Sequence, residues 1–61
     1  MPQLNQMELQ NLRHLIGSHE TAHKKLLAYS QQASDPKIKE MLERSARDAL
    51  NTKERLMSFL T

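Results

Sequence analysis

Apolar residues recur along this chain three or four positions apart, the spacing of an α-helix. Placed at about 100° per residue, Leu12, Leu15, Ile16, His19, Ala22, His23, Leu26, Tyr29, Ser30 and Ala33 share one side of a first helix, and Leu9 and Leu27 widen it. Arg13, Gly17, Ser18, Thr21, Lys24 and Lys25 take the other side. A second stripe holds Ile38, Leu42, Ser45, Ala46, Ala49, Lys53, Leu56 and Leu60, broadened by Met41, Leu50, Met57 and Phe59. The periodicity breaks between them, at Ser34-Asp35-Pro36-Lys37. An Asp side chain can accept hydrogen bonds from orphan helix amides, and Pro suits the first turn, where its missing N–H costs nothing. At the other end, Asn5 followed by Glu8 has the spacing of a capping box. The pattern predicts helix 1 from about Asn5 to Ala33, a turn at 34–35 and helix 2 from about Pro36 to Leu60. β-branched residues are few and never clustered, so no strand is expected. A connection this short makes the two helices antiparallel neighbours. The fold class is all-α, a two-helix hairpin occupying residues 1–61 as a single domain.

Both stripes are wider than one helix–helix contact covers. A chain of 61 residues buries little of its surface alone. It has no cysteine, so neither a disulfide nor a thiolate metal site can support it. The simplest remedy is a homodimer in which two hairpins complete a four-helix bundle. The expected core and dimer interface is Leu12, Ile16, His19, His23, Leu26, Leu42, Ala46, Ala49, Leu56 and Leu60.

Charge changes this picture little. Nine Lys and Arg stand against seven Asp and Glu, for a net +2. No basic block or aromatic platform points to nucleic acid. Glu40–Arg44 and Glu43–Arg47 are i,i+4 pairs on the solvated side of helix 2, and Lys53 is expected to snorkel out of its stripe. No apolar run approaches the ~20 residues that span a bilayer, and the opening MPQLNQMELQ lacks the basic and apolar regions of a signal peptide. A soluble, non-secreted protein with no membrane partner is therefore expected. Gly17, in mid-helix, costs about 1 kcal/mol relative to Ala. It is either a tolerated weakness or the mark of a kink or a close helix approach.

The chemistry worth weighing lies in HETAH, residues 19–23. His19 and His23 are four apart, which lets both rings reach one metal ion, and His-Glu-x-x-His is the pattern of zinc peptidases, whose Glu is a general base. A peptidase also needs a third ligand and a substrate cleft. With the turn near 34–35, facing positions have numbers adding to about 69. His23 then faces Ala46 and His19 faces Leu50, while Glu43 and Asp48 sit on the flanks. Enzymatic activity is not expected. Glu20 and His23 also form Glu-x-x-His, the unit of di-iron carboxylate bundles. The facing positions Ala46 and Ala49 lack the further carboxylates, so a partial zinc or iron site of His19, Glu20 and His23 is what this reading leaves. The third reading makes His19 and His23 core or interface histidines, with Ser45, Ala46 and Ala49 giving room to the rings.

The run from Glu8 to Leu60 resembles small proteins of endospore-forming bacteria related to spore coat protein F. The likeness rests on Glu8-Leu9-x-x-Leu12-Arg13, Glu20, Lys25 with Tyr29, the turn Ser34-Asp35-Pro36 and the closing Leu56-Met57-Ser58-Phe59-Leu60. The resemblance implies a ferritin-like half-bundle completed by dimerisation. It also implies a structural protein made in the cytoplasm and deposited in the spore or its coat, with other coat proteins as partners. Some relatives carry histidines late in helix 2, whereas Arg47 to Lys53 here contain none, which departs from any di-iron inheritance. The leading expectation is thus a non-enzymatic structural or interaction protein without a resident cofactor. The alternatives are a ferritin-like metal-binding protein using Glu20 and His23 with His19 assisting, and an adaptor hairpin that offers its apolar face to a larger protein's helices.

Overall fold

The computed structural model describes residues 4–60. Met1–Gln3 and Thr61, which the single-domain reading also takes in, lie outside them. The chain is an antiparallel hairpin of α1 (Gln6–Gln32) and α2 (Pro36–Met57), closed by a 3-10 turn at Ser58–Leu60.

The predicted caps form. The Glu8 amide donates to Asn5 Oδ1 at 2.7 Å, and the Asn5 amide donates to Glu8 Oε1 at 3.1 Å. This reciprocal box satisfies two amides that helix geometry leaves without partners. The amide of Ala33 donates back to the Tyr29 carbonyl at 3.0 Å, while Ala33 itself is extended at φ −72° and ψ 131°. That change of backbone conformation ends α1 and starts the turn. Asp35 Oδ1 then accepts from the amides of Lys37 at 2.8 Å and Ile38 at 3.3 Å, with Pro36 opening α2.

Helix 2 stops short of the expected Leu60. Its α-helical hydrogen bonding ends at Met57. The Ser58 hydroxyl donates to the Arg55 carbonyl at 2.5 Å. A serine hydroxyl competing for a carbonyl of the last turn favours the tighter 3-10 closure seen there. Leu60, expected in the interface, is consequently 40% exposed.

Gly17 is no close-approach site within the chain. α1 continues unbroken through it, its φ is not positive, and a Cβ built there would meet nothing within 4 Å. It is a local weakness in the helix.

The core is thin. Among the described residues only Leu12 and Ala46 are buried apolar side chains, with Ser30 the buried polar one. Ser30 donates its hydroxyl to the Leu27 carbonyl at 2.7 Å, so it enters the contact near the turn with its polar group satisfied. Of the expected interface, Ile16, His19, His23, Leu26, Leu42, Ala49 and Leu56 are half-buried. Leu15, Tyr29, Ile38, Met41 and Phe59 stay about half exposed.

These exposed residues share a face. On α1, Leu15, Ala22, Leu26, Tyr29 and Ala33 lie to one side of the direction of α2; on α2, Ile38, Ser45, Ala49, Thr52 and Leu56 lie to one side of the direction of α1. Both helices are right-handed and they run antiparallel, so the two flanks fall on the same broad face of the hairpin. The opposite face carries Arg13, Lys24, Glu43, Arg47 and Glu54, all exposed. The molecule is a slab of 46 × 16 × 12 Å, and the side that carries these charges also exposes Leu27 and Met57.

Candidate functional site

The polar residues of HETAH lie at the middle of the hairpin, and the fold assigns each a partner. His23 Nδ1 lies 2.9 Å from the Ala46 carbonyl on α2, the pairing expected from the register of the two helices. A carbonyl only accepts, so Nδ1 carries the proton and donates it. His19 Nδ1 likewise donates to the Leu15 carbonyl, one turn back on α1, at 2.7 Å. Ala46 is fully buried, which lets the His23 ring approach the backbone of α2. A larger side chain at Ala46 would hold the ring away from that carbonyl.

Glu20 is committed elsewhere. Lys53 Nζ donates to Glu20 Oε2 across the hairpin, and Lys24 Nζ lies 3.5 Å from Oε1 on the same helix. The hydrogen bond from Lys53 holds the Glu20 carboxyl below its ordinary value, with the charges of Lys53 and Lys24 adding to it against the opposing effect of desolvation. Lys53, expected to snorkel out of its stripe, does so toward Glu20. Its position lies one turn beyond Ala49, the residue level with Glu20, and a lysine stem spans that offset. On the solvated side of α2, Glu40 pairs with Arg44 at 3.4 Å, while no ion pair joins Glu43 to Arg47. Both of those side chains are exposed.

The three residues of the expected metal site therefore point to different tasks. Among the described residues, no group of three or more His, Asp and Glu is placed to hold a metal ion. With Nδ1 engaged by a carbonyl, Nε2 is the ring atom a metal would use. Glu20, engaged by two lysines, is not aimed at either ring as a third ligand or as a base. Three shallow grooves run along the surface, beside Met41 and Asp48, beside Gly17 and Lys25, and beside Gln6 and Arg13. His19, Glu20 and His23 line none of these three.

What this centre does is lock register. One hydrogen bond and one ion pair, both between α1 and α2, fix how far one helix slides along the other. That alignment brings the two apolar flanks level on one face. No helix of the described residues is long and apolar enough to cross a membrane. No protein-family model, curated protein or solved structure matches the chain.

Proposed function

We propose that this chain is a non-enzymatic structural protein whose work is self-association through the apolar face of its hairpin. The observation that carries the reading is the amount of surface left uncovered. A folded monomer of 7.1 kDa exposes about 4,100 Å² by the usual scaling of surface with mass. This chain exposes 4975 Å². The excess, roughly 900 Å², is close to the ~800 Å² that each partner buries in a standard protein interface. The radius of gyration agrees, at 14.2 Å against the ~10.5 Å of a compact domain of this length. Part of the uncovered surface lies on this face, where Leu15, Tyr29, Ile38, Met41 and Phe59 are between 47% and 59% exposed, and part lies at Met7, Leu27 and Met57. A patch of this kind on a small chain is an interaction surface.

The resemblance of Glu8–Leu60 to spore coat protein F-like proteins gives this assembly its setting, a spore coat. Two tests separate the assembly from the setting. Sedimentation equilibrium of the full chain at micromolar concentration gives an even multiple of 7.1 kDa if the face is a self-association surface. A helical monomer there rules it out. Immunodetection in fractionated sporulating cells places the chain in the insoluble coat fraction on this proposal, whereas a pool that stays entirely soluble removes the coat assignment.

A further inference from the structure

Sulfur chemistry in this chain is confined to methionine. The sequence has four methionines and no cysteine, so thioethers are the only sulfur that a peroxide meets. The three among the described residues stand in different places. Met41 is 59% exposed at the turn end of the apolar face, beside Ile38 on α2 and across from Tyr29 on α1. Met57 is 43% exposed on the opposite, charged side. Met7 is 72% exposed in the first turn of α1, outside the apolar face.

We infer that Met41 is an oxidation site through which a hydroperoxide controls pairing of the apolar faces. The free chain is oxidised there, and the sulfoxide keeps it unpaired. This inference rests on the self-association proposed above and adds a chemical control of the same face. The reaction needs only the thioether and the peroxide. A sulfur lone pair attacks the terminal oxygen of the hydroperoxide, the S–O bond forms and the O–O bond breaks. The departing oxygen leaves with the bonding pair and takes the proton from the attacked oxygen. Hydrogen peroxide thus yields water, and an alkyl hydroperoxide yields an alcohol. Sulfur loses two electrons and the peroxide gains them.

The product changes what the face can bury. A thioether is apolar and flexible, whereas its sulfoxide is polar and carries a strong acceptor oxygen. On the exposed flank of a free chain, water solvates that oxygen. Pairing the apolar faces strips the water away, and a twofold pair does so twice whatever its axis, which opposes association. Burial also acts in the other direction. Once the face is covered, the Met41 sulfur is out of reach, so paired chains are protected and free chains are trapped until a sulfoxide reductase restores the thioether. Met7 and Met57 lie outside the face and stay open in both states, which makes them internal references.

The test treats the full chain with hydrogen peroxide over a concentration series that spans the dimer Kd, and peptide mass spectrometry follows the gain of one oxygen at each methionine. Oxidation of Met41 slows by at least about fivefold from the dilute to the concentrated end, as mass action covers the face, while Met7 and Met57 keep their rates. Sedimentation velocity of chain oxidised at Met41 gives a dimer Kd at least about tenfold above that of the untreated chain, with the helical circular dichroism signal retained. Met41→Leu, which keeps every other methionine, holds its Kd within about threefold through the same treatment. A Met41 rate independent of concentration, loss of helix on oxidation, or equal weakening of the parent chain and Met41→Leu overturns the inference and leaves self-association standing. A parent chain that is monomeric at every concentration before peroxide is added overturns both.

Discussion

Leu15 and Leu12 lie one turn apart on α1, yet they make opposite predictions. Leu12 is 9% exposed and belongs to the contact between the helices of one chain. Leu15 is 47% exposed and faces away from α2 on the apolar side. Complete burial of a leucine is worth about 1.5–3 kcal/mol, so covering the exposed half of Leu15 on pairing contributes about 1 kcal/mol per copy. Leu15→Ala removes this twice from a symmetric dimer, about 2 kcal/mol in all, and 1.4 kcal/mol corresponds to tenfold in Kd. The dimer Kd should therefore rise by roughly 25- to 30-fold. Leu12→Ala instead opens a gap within the hairpin. Solvent can partly fill a gap so near the surface, which puts the cost at the low end for such changes, about 2–3 kcal/mol, and it falls on folding of each chain. Sedimentation velocity over a concentration series reads the first effect, and circular dichroism melts at two concentrations read the second. A Kd for Leu15→Ala within threefold of the parent chain would refute the claim that this face is covered.

Three further expectations follow from named contacts. The Glu20 carboxyl is held below its ordinary value, near 4.5, in the folded chain, so the unfolded chain binds the proton more readily in that range and stability rises with pH through it; melts from about pH 5 down to about pH 3 should lose stability steadily in the parent chain and less steeply in Glu20→Gln, and equal slopes would show that the Lys53 pair is not responsible. His23→Ala removes the hydrogen bond to Ala46 and the packing of the ring, a loss of about 1–2 kcal/mol, and melts with and without a chelator should show the same loss; a loss confined to chelator-free samples would make His23 a metal ligand. Gly17→Ala should stabilise the hairpin by about 0.5–1 kcal/mol, because a Cβ there meets nothing within 4 Å, and it should leave the oligomer mass unchanged because Gly17 lies away from the apolar face; a change in oligomer mass would place Gly17 in an interface.

The parts of this fold that depend on neighbours in sequence were legible in advance. The Asn5–Glu8 box, the Asp35 cap and Pro36 are local devices, and their spacing alone implies their hydrogen bonds. The register was legible too, because a short turn between two straight helices fixes which positions lie level, and His23 meets Ala46 accordingly. Long flexible side chains were not. Lys53 could extend to water or reach any acid within a turn of its level, and only the actual separation of the helices selects Glu20. Glu43 and Arg47 have the right spacing, but both are exposed, where an ion pair gains little over solvation. The end of α2 was overextended because its apolar periodicity continues through Leu60, while a serine hydroxyl redirects the last carbonyls. HETAH gives the local spacing of a metal site, whereas the commitment of Glu20 to two lysines is a tertiary fact that no local pattern contains.

Native mass spectrometry of the untagged chain, purified without chelator, tests the central claim most directly because it reads oligomer mass and bound metal together. An even-numbered assembly of the 7.1 kDa chain with no added mass is the predicted result. A folded monomer at micromolar concentration would contradict the account, and a dimer carrying metal that His23→Ala abolishes would transfer the function from the apolar face to the histidines.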